Sequence, residues 1–179
     1  CADLGANTVT LTAMETLGGT SDASTAIVTV IDNIAPTVIS QNITIQLDAS
    51  GNATIAAGDI NNGSLDNCTA TGSLATSIDI SSFTCSNIGT NSVQLTVDDG
   101  NGNTSTAVAI VTVEDDLSPI AMAQNITAVI APFTGSVIIT PAMVDNGSTD
   151  NCSMTLSLSQ TEFTCSETGA NTVTLTVTD

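Results

Sequence analysis

The chain has 179 residues, 18 of them acidic and none Lys, Arg or His, and three Phe are its only aromatic residues. With a formal charge of −18 and no cationic side chain, nothing can neutralise a phosphate, so nucleic acid is excluded as a partner and an anionic membrane surface is disfavoured. Without His or Lys the common general bases are missing, and no Ser stands in a nucleophile-elbow setting, so no catalytic residue and no enzyme activity are expected.

Taken in chain order, Asn7–Thr12 alternates Thr with Val and Leu at period two, the pattern of a strand with one buried face. The run from Ser24 to Val30 reads as its return strand. Next, NITIQL at 42–47 and NATIA at 52–56 flank Asp48-Ala49-Ser50-Gly51, a hairpin signal. A polar loop with Asp59, Asn61, Asn62 and Asp66 runs to Cys68. After Phe83-Thr84-Cys85 come the strand 91–97, a Gly- and Asn-rich turn at 98–103 and the return strand 106–113. From residue 124 the order begins again: QNIT, DNGSTDNC ending at Cys152, FTC ending at Cys165, and NTVTLTVTD to Asp179. No stretch has helical periodicity and no apolar run reaches transmembrane length. The core is expected to be Val, Ile, Leu and Ala, with Phe83, Phe133 and Phe163 as its large anchors.

These blocks are an internal repeat. The segment starting at Cys1 recurs at Cys85 and Cys165, at offsets of 84 and 80 residues. IVTVIDNIAP, ending at Pro36, recurs as IVTVEDDLSP, ending at Pro119, and NNGSLDNC, ending at Cys68, recurs as the block ending at Cys152. Residues 1–32 are then the last strands of an upstream repeat, 33–115 one complete repeat, and 116–179 a third repeat lacking its final strand. The expected fold is all-β, tandem antiparallel β-sandwich repeats. Such a window is either cut from a longer array or completed by neighbouring chains.

The pattern D-x-x-x-P, N-I-T, DNG-S-x-DNC, then F-x-C-x-x-x-G-x-N-x-V-x-L-T-V-x-D and GN resembles the hyalin-type (HYR-like) repeat of large bacterial secreted surface proteins. The resemblance covers nearly the whole chain and implies an immunoglobulin-like sandwich with roles in adhesion or extracellular structure. Residues 13–26 depart from the pattern, with Glu15 where the aspartate is expected.

Cys68 and Cys85 are 17 residues apart, and Cys152 and Cys165 are 13 apart. Each pair occupies equivalent landmarks of its repeat, which favours a disulfide within each repeat over free thiols. A zinc site fits less well, because His is absent and the spacing matches no structural zinc pattern. Cys1 is expected to be unpaired. The pairing implies an oxidising compartment, extracellular or cell-surface.

Strand directions in a sandwich bring three acidic segments to one pole of the complete repeat. They are the linker at Asp32, the loop with Asp66, and the hairpin with Asp98, Asp99, Asn101 and Asn103. In the next repeat the equivalents are Asp115 and Asp116, then Asp145 and Asp150, then Asp179. Gathered carboxylates repel, and with no basic side chain calcium is the simplest resolution, taking six to eight oxygens. Against it stands plain turn chemistry, since Asp, Asn and Gly fill turns for conformational reasons.

Repetition of the acids in each unit argues for structure over a single active site. The expected function is a stalk, filament or surface layer, stiffened by disulfides within repeats and by calcium at the joints between them. The alternative is an adhesin or glycan-binding spacer, which the absence of Tyr and Trp disfavours. Expected partners are adjoining repeats or other copies of the chain, including strand donation by residues 16–32 to the third repeat.

Overall fold

A computed structural model describes residues 1–179. In chain order the strands are β1 (Gly5–Met14), β2 (Ser21–Val30), β3 (Ile43–Gln46), β4 (Asn52–Thr54), β5 (Ala75–Ile78), β6 (Ser82–Thr84), β7 (Gly89–Asp98), β8 (Thr104–Glu114), β9 (Ser136–Ile138), β10 (Thr155–Leu158), β11 (Glu162–Thr164) and β12 (Leu175–Thr178). Two single-turn helices, α1 (Ala57–Ile60) and α2 (Pro141–Val144), interrupt them at equivalent points of successive repeats. They are too short to leave a 3.6-residue period, so the sequence does not announce them. The chain is all-β, as its period-two patterning predicts.

The chain divides into two compact units, residues 1–43, 54–81 and 90–112 in one, and 44–53, 82–89 and 113–179 in the other. The units do not follow the sequence repeat: residues 33–115 contribute to both.

In the first unit β1 and β2 form an antiparallel ribbon, in register from Gly5↔Val30 to Met14↔Ser21. Its tip is closed by the Glu15 amide donating to the Thr20 carbonyl and the Thr20 hydroxyl donating to the Glu15 carboxylate. That contact accounts for Glu15 at the departure from the repeat pattern. β5 and β7 pair antiparallel, from Ala75↔Asp98 to Ile78↔Leu95. β7 lies between β5 and β8 in the sheet. Alternation along β7 buries Val93, Leu95 and Val97, and along β8 it buries Ala109 and Val111. The same alternation in β1 leaves Val9 47% and Leu11 75% exposed, because only β2 lies beside it. Period two sets which face is apolar, and burial needs a second layer.

In the second unit β11 pairs with β9 and β10 with β12, all antiparallel. Ile139, Val144 and Phe163 form its core, with Val137, Leu158, Val173 and Leu175 packed against it. Phe83 is 1% exposed, but Phe133 is 100% exposed, so the expectation that all three Phe anchor the core fails at Phe133. Phe133 lies in the 131–135 turn, one residue longer than its counterpart at 48–51, and the extra residue loops out.

Replacing Phe83 by Ala should cost about 3–5 kcal/mol, and replacing Phe133 by Ala close to nothing. Urea denaturation of the two variants checks this contrast.

Candidate metal centres at the repeat joints

The two disulfides are Cys1–Cys68 and Cys85–Cys152, and Cys165 is a free, exposed thiol. The expected pairings Cys68–Cys85 and Cys152–Cys165 are therefore wrong, and so is an unpaired Cys1. Cys1 and Cys85, at equivalent landmarks, each bond forward to the Asn-Cys loop of the next repeat. Both bonds span 67 residues. This equal separation is the signal in the sequence for the pairing, since the within-repeat gaps of 17 and 13 differ. Closing a loop of this length contributes about 4 kcal/mol in the chain-entropy picture.

The seat of the second bond explains the pairing. Gly51 takes φ +71, and a Cβ there would lie 2.6 Å from Cys85 Sγ and 2.7 Å from the Asn151 carbonyl oxygen. Only glycine lets the Asn151-Cys152 segment settle on this hairpin. The Asn151 side chain donates to the Asp48 carbonyl at 3.3 Å and to Asp115 Oδ1 at 2.9 Å. Asn67 does the same in the first unit, donating to Asp32 Oδ1 at 3.2 Å beside Cys68.

Beside each disulfide stands an acidic trio. One oxygen from each of Asp32, Asp66 and Asp99 lies within 4.8 Å of the others, and Asp115, Asp150 and Asp179 repeat the arrangement. The linker, the loop and the hairpin thus converge as the strand-direction argument predicts. Backbone and side-chain donors hold part of each group. Asp32 Oδ1 accepts from the Ile34 amide at 3.2 Å, and Asp66 Oδ2 accepts from the Cys68 and Thr69 amides at 2.9 and 2.8 Å. Asp99 Oδ1 accepts from the Asn101 and Asn103 amides, and its Oδ2 accepts from the Asn103 side chain at 2.6 Å. Asp115 Oδ1 accepts from the Leu117 amide at 3.3 Å, and Asp150 Oδ2 from the Cys152 amide at 3.1 Å.

The other oxygens of the inner acids have no donor. Asp32 Oδ2 and Asp66 Oδ1 in one trio, Asp115 Oδ2 and Asp150 Oδ1 in the other, and Asn151 Oδ1 are buried without a hydrogen-bond partner. An unsatisfied buried carboxylate oxygen is costly, and four such oxygens with one amide oxygen, gathered at two points, fit an oxygen-seeking cation. Withdrawal from water raises the pKa of Asp99, but the Asn103 side chain and the amides of Asn103 and Asn101 outweigh it and leave it below the ordinary range. Withdrawal from water, then the charges of Asp115 and Asp150, push Asp179 above that range.

Several residues expected at the cation have other tasks. Asp98 caps its own turn through the Gly100 amide, and Asp116 stands outside the trio. Asn101 bonds the Thr69 hydroxyl at 3.2 Å, and Asn103 ties the hairpin to the Asp32 carbonyl at 3.2 Å. Asp59 accepts from the Ala56 amide at the start of α1. Asp145 and its counterpart Asn61 accept the hydroxyl protons of Ser148 and Ser64, which in turn accept from the amides of Met122 and Ile39. Asp145 is thus a loop brace outside the trio. The buried serines behind the brace were not singled out in the sequence.

No helix is long and apolar enough to cross a membrane. Comparison with protein families, with curated proteins and with solved structures found no match.

Two predictions follow from this geometry. Peptide mapping without reduction should recover Cys1–Cys68 and Cys85–Cys152, with Cys165 the single site of alkylation. The Ser148 hydroxyl and amide hold the Asp145 pKa below its usual value. That contribution is full above the unfolded pKa and is lost as pH falls through the lowered folded one. Asp145→Asn, which installs the residue present at position 61, should keep the fold and flatten the acid limb of stability measured by urea denaturation from neutral to strongly acid pH.

Proposed function

We propose that the chain is a stretch of an extracellular stalk, filament or surface layer, built from HYR-like, immunoglobulin-like sandwich repeats whose joints are locked by disulfides and calcium. The observation that carries this reading is the pairing of one disulfide with one acidic trio at each joint. A module that only displays a binding face has no need to spend both its bonds and its buried charge on the connection to its neighbour.

Calcium suits the donor set. It takes six to eight hard oxygens with tolerant geometry, and each trio offers three carboxylates. Magnesium demands a stricter octahedron and is expected to bind less well. Asp32, Asp66 and Asp99 would hold one ion, and Asp115, Asp150 and Asp179 another. The ion cancels the repulsion that a joint of like charges otherwise carries, and so stiffens the linker between repeats. The disulfides support an oxidising environment, hence secretion to the cell surface or beyond. The glycan-binding alternative draws no support from the groove lined by Ile126, Ile130, Ile139 and Val173, which is mostly aliphatic.

Millimolar calcium should raise the melting temperature by several degrees, since a ligand at one hundred times its Kd adds about 2.7 kcal/mol per site. Asp66→Asn and Asp150→Asn should each remove about half of that gain. A melting temperature indifferent to calcium, with intact disulfides, would exclude the calcium joint.

A further inference from the structure

Each disulfide is tied to its acidic trio through one short loop. In residues 66–69, Asp66 is itself a member of the trio. Asn67 Nδ2 donates to Asp32 Oδ1 at 3.2 Å, the Cys68 amide donates to Asp66 Oδ2 at 2.9 Å, and the Thr69 hydroxyl donates to the Asp99 carbonyl at 2.7 Å. Four consecutive residues therefore reach all three acids, and Cys68 among them carries the bond to Cys1. The loop at 150–152 repeats this. Asp150 belongs to the trio, Asn151 Nδ2 donates to Asp115 Oδ1 at 2.9 Å, the Cys152 amide donates to Asp150 Oδ2 at 3.1 Å, and Cys152 is bonded to Cys85. The three acids of the first joint and both cysteines of the second lie inside the sequence, so the pattern does not arise from a chain terminus.

The tie works in both directions. Asp32 Oδ2 and Asp66 Oδ1, like Asp115 Oδ2 and Asp150 Oδ1, are buried with no donor. Such oxygens repel, and stay together only while the loop that carries one of them is held in place. The disulfide holds it covalently, with the Asn side chain as the arm that reaches the linker. When the bond is broken the loop keeps its internal turn but loses that anchor, and repulsion moves Asp66 or Asp150 away from its partners. A bound cation does the reverse. It fastens the same loop to linker and hairpin through their carboxylates, and so keeps Cys68 beside Cys1 and Cys152 beside Cys85. Two fastenings that order one loop share the entropy of ordering it, and each strengthens the other by the same factor.

We propose that the redox state of each disulfide regulates the cation site beside it. The oxidised joint binds calcium tightly, the dithiol joint binds it weakly, and the bound ion protects the bond from reduction. This rests on the calcium reading of the joints. The reductant is a dithiol. Its first thiolate attacks one cysteine sulfur, the Cys–Cys bond breaks, a mixed disulfide forms, and the other cysteine leaves as a thiolate. The reductant's second thiol attacks the mixed disulfide, releases the remaining cysteine and closes a cyclic disulfide. Two electrons and two protons thus pass from the reductant to the two cysteines. A joint of this kind is rigid only where the surroundings are both oxidising and rich in calcium.

The test equilibrates the full chain in mixtures of reduced and oxidised dithiothreitol, with calcium or with a chelator, and reads each bond by alkylation and peptide mapping. Calcium should shift the equilibrium toward each disulfide about tenfold or more, which is about 30 mV. Titration calorimetry gives the reciprocal measurement. Cys1→Ser combined with Cys68→Ser should weaken one of two calcium sites about tenfold or more and leave the other unchanged, so the intact site reports that the chain is still folded. Asn67→Ala keeps the bond and all three acids, and should lower the protection of Cys1–Cys68 by calcium several-fold without touching that of Cys85–Cys152. Equal reduction with and without calcium, in an oxidised chain that binds two ions, overturns the proposal and leaves the calcium joint standing. Protection of Cys1–Cys68 unchanged by Asn67→Ala overturns the route through the loop. An oxidised chain that binds no calcium removes the calcium joint, and this proposal with it.

Discussion

Each joint gathers three carboxylates on a chain that has no positive side chain to answer them. Everything near the joints is shaped by this constraint. Backbone amides in short Asp-led turns take one oxygen of Asp32, Asp66, Asp115 and Asp150, which fixes the loops and leaves the second oxygen facing its neighbours. Amides can orient such groups but cannot discharge them. A divalent cation can do both, and then the linker, the loop after the second strand and the last hairpin become one rigid body.

The disulfides solve the complementary problem of register. Asn67 and Asn151 each reach back to the linker aspartate, and the adjacent cysteine bonds to the preceding repeat. Gly51 clears the space where the two meet. A compact unit here is therefore centred on a joint: residues 1–43, 54–81 and 90–112 hold one disulfide and one trio, and the second unit holds the other pair. Mechanical load passing along such a chain would cross a covalent bond at each junction.

Much of this was legible in the residues. The repeat blocks, the strand alternation of β7 and β8 and the convergence of Asp32, Asp66 and Asp99 all follow from period, turn chemistry and strand direction. The disulfide pairing did not follow, because two cysteines within a repeat and two in adjacent repeats satisfy the same landmarks, and only a bonded contact or the constant separation of 67 distinguishes them. The trio could be located but not separated from its surroundings, since Asp98 and Asp145 have the same side chain as Asp99 and Asp150. Position on the turn decides which of them braces a loop and which faces the centre. Exposure of Val9 and Leu11 was hidden for a simpler reason: alternation marks a face for burial without saying that anything covers it.

The central claim is that a cation completes each joint. Isothermal titration of the disulfide-intact chain with calcium tests it most directly. The account predicts saturable binding of two ions per chain, falling to one in Asp66→Asn and to one in Asp150→Asn. Non-saturable, salt-like uptake unaffected by either substitution would contradict it.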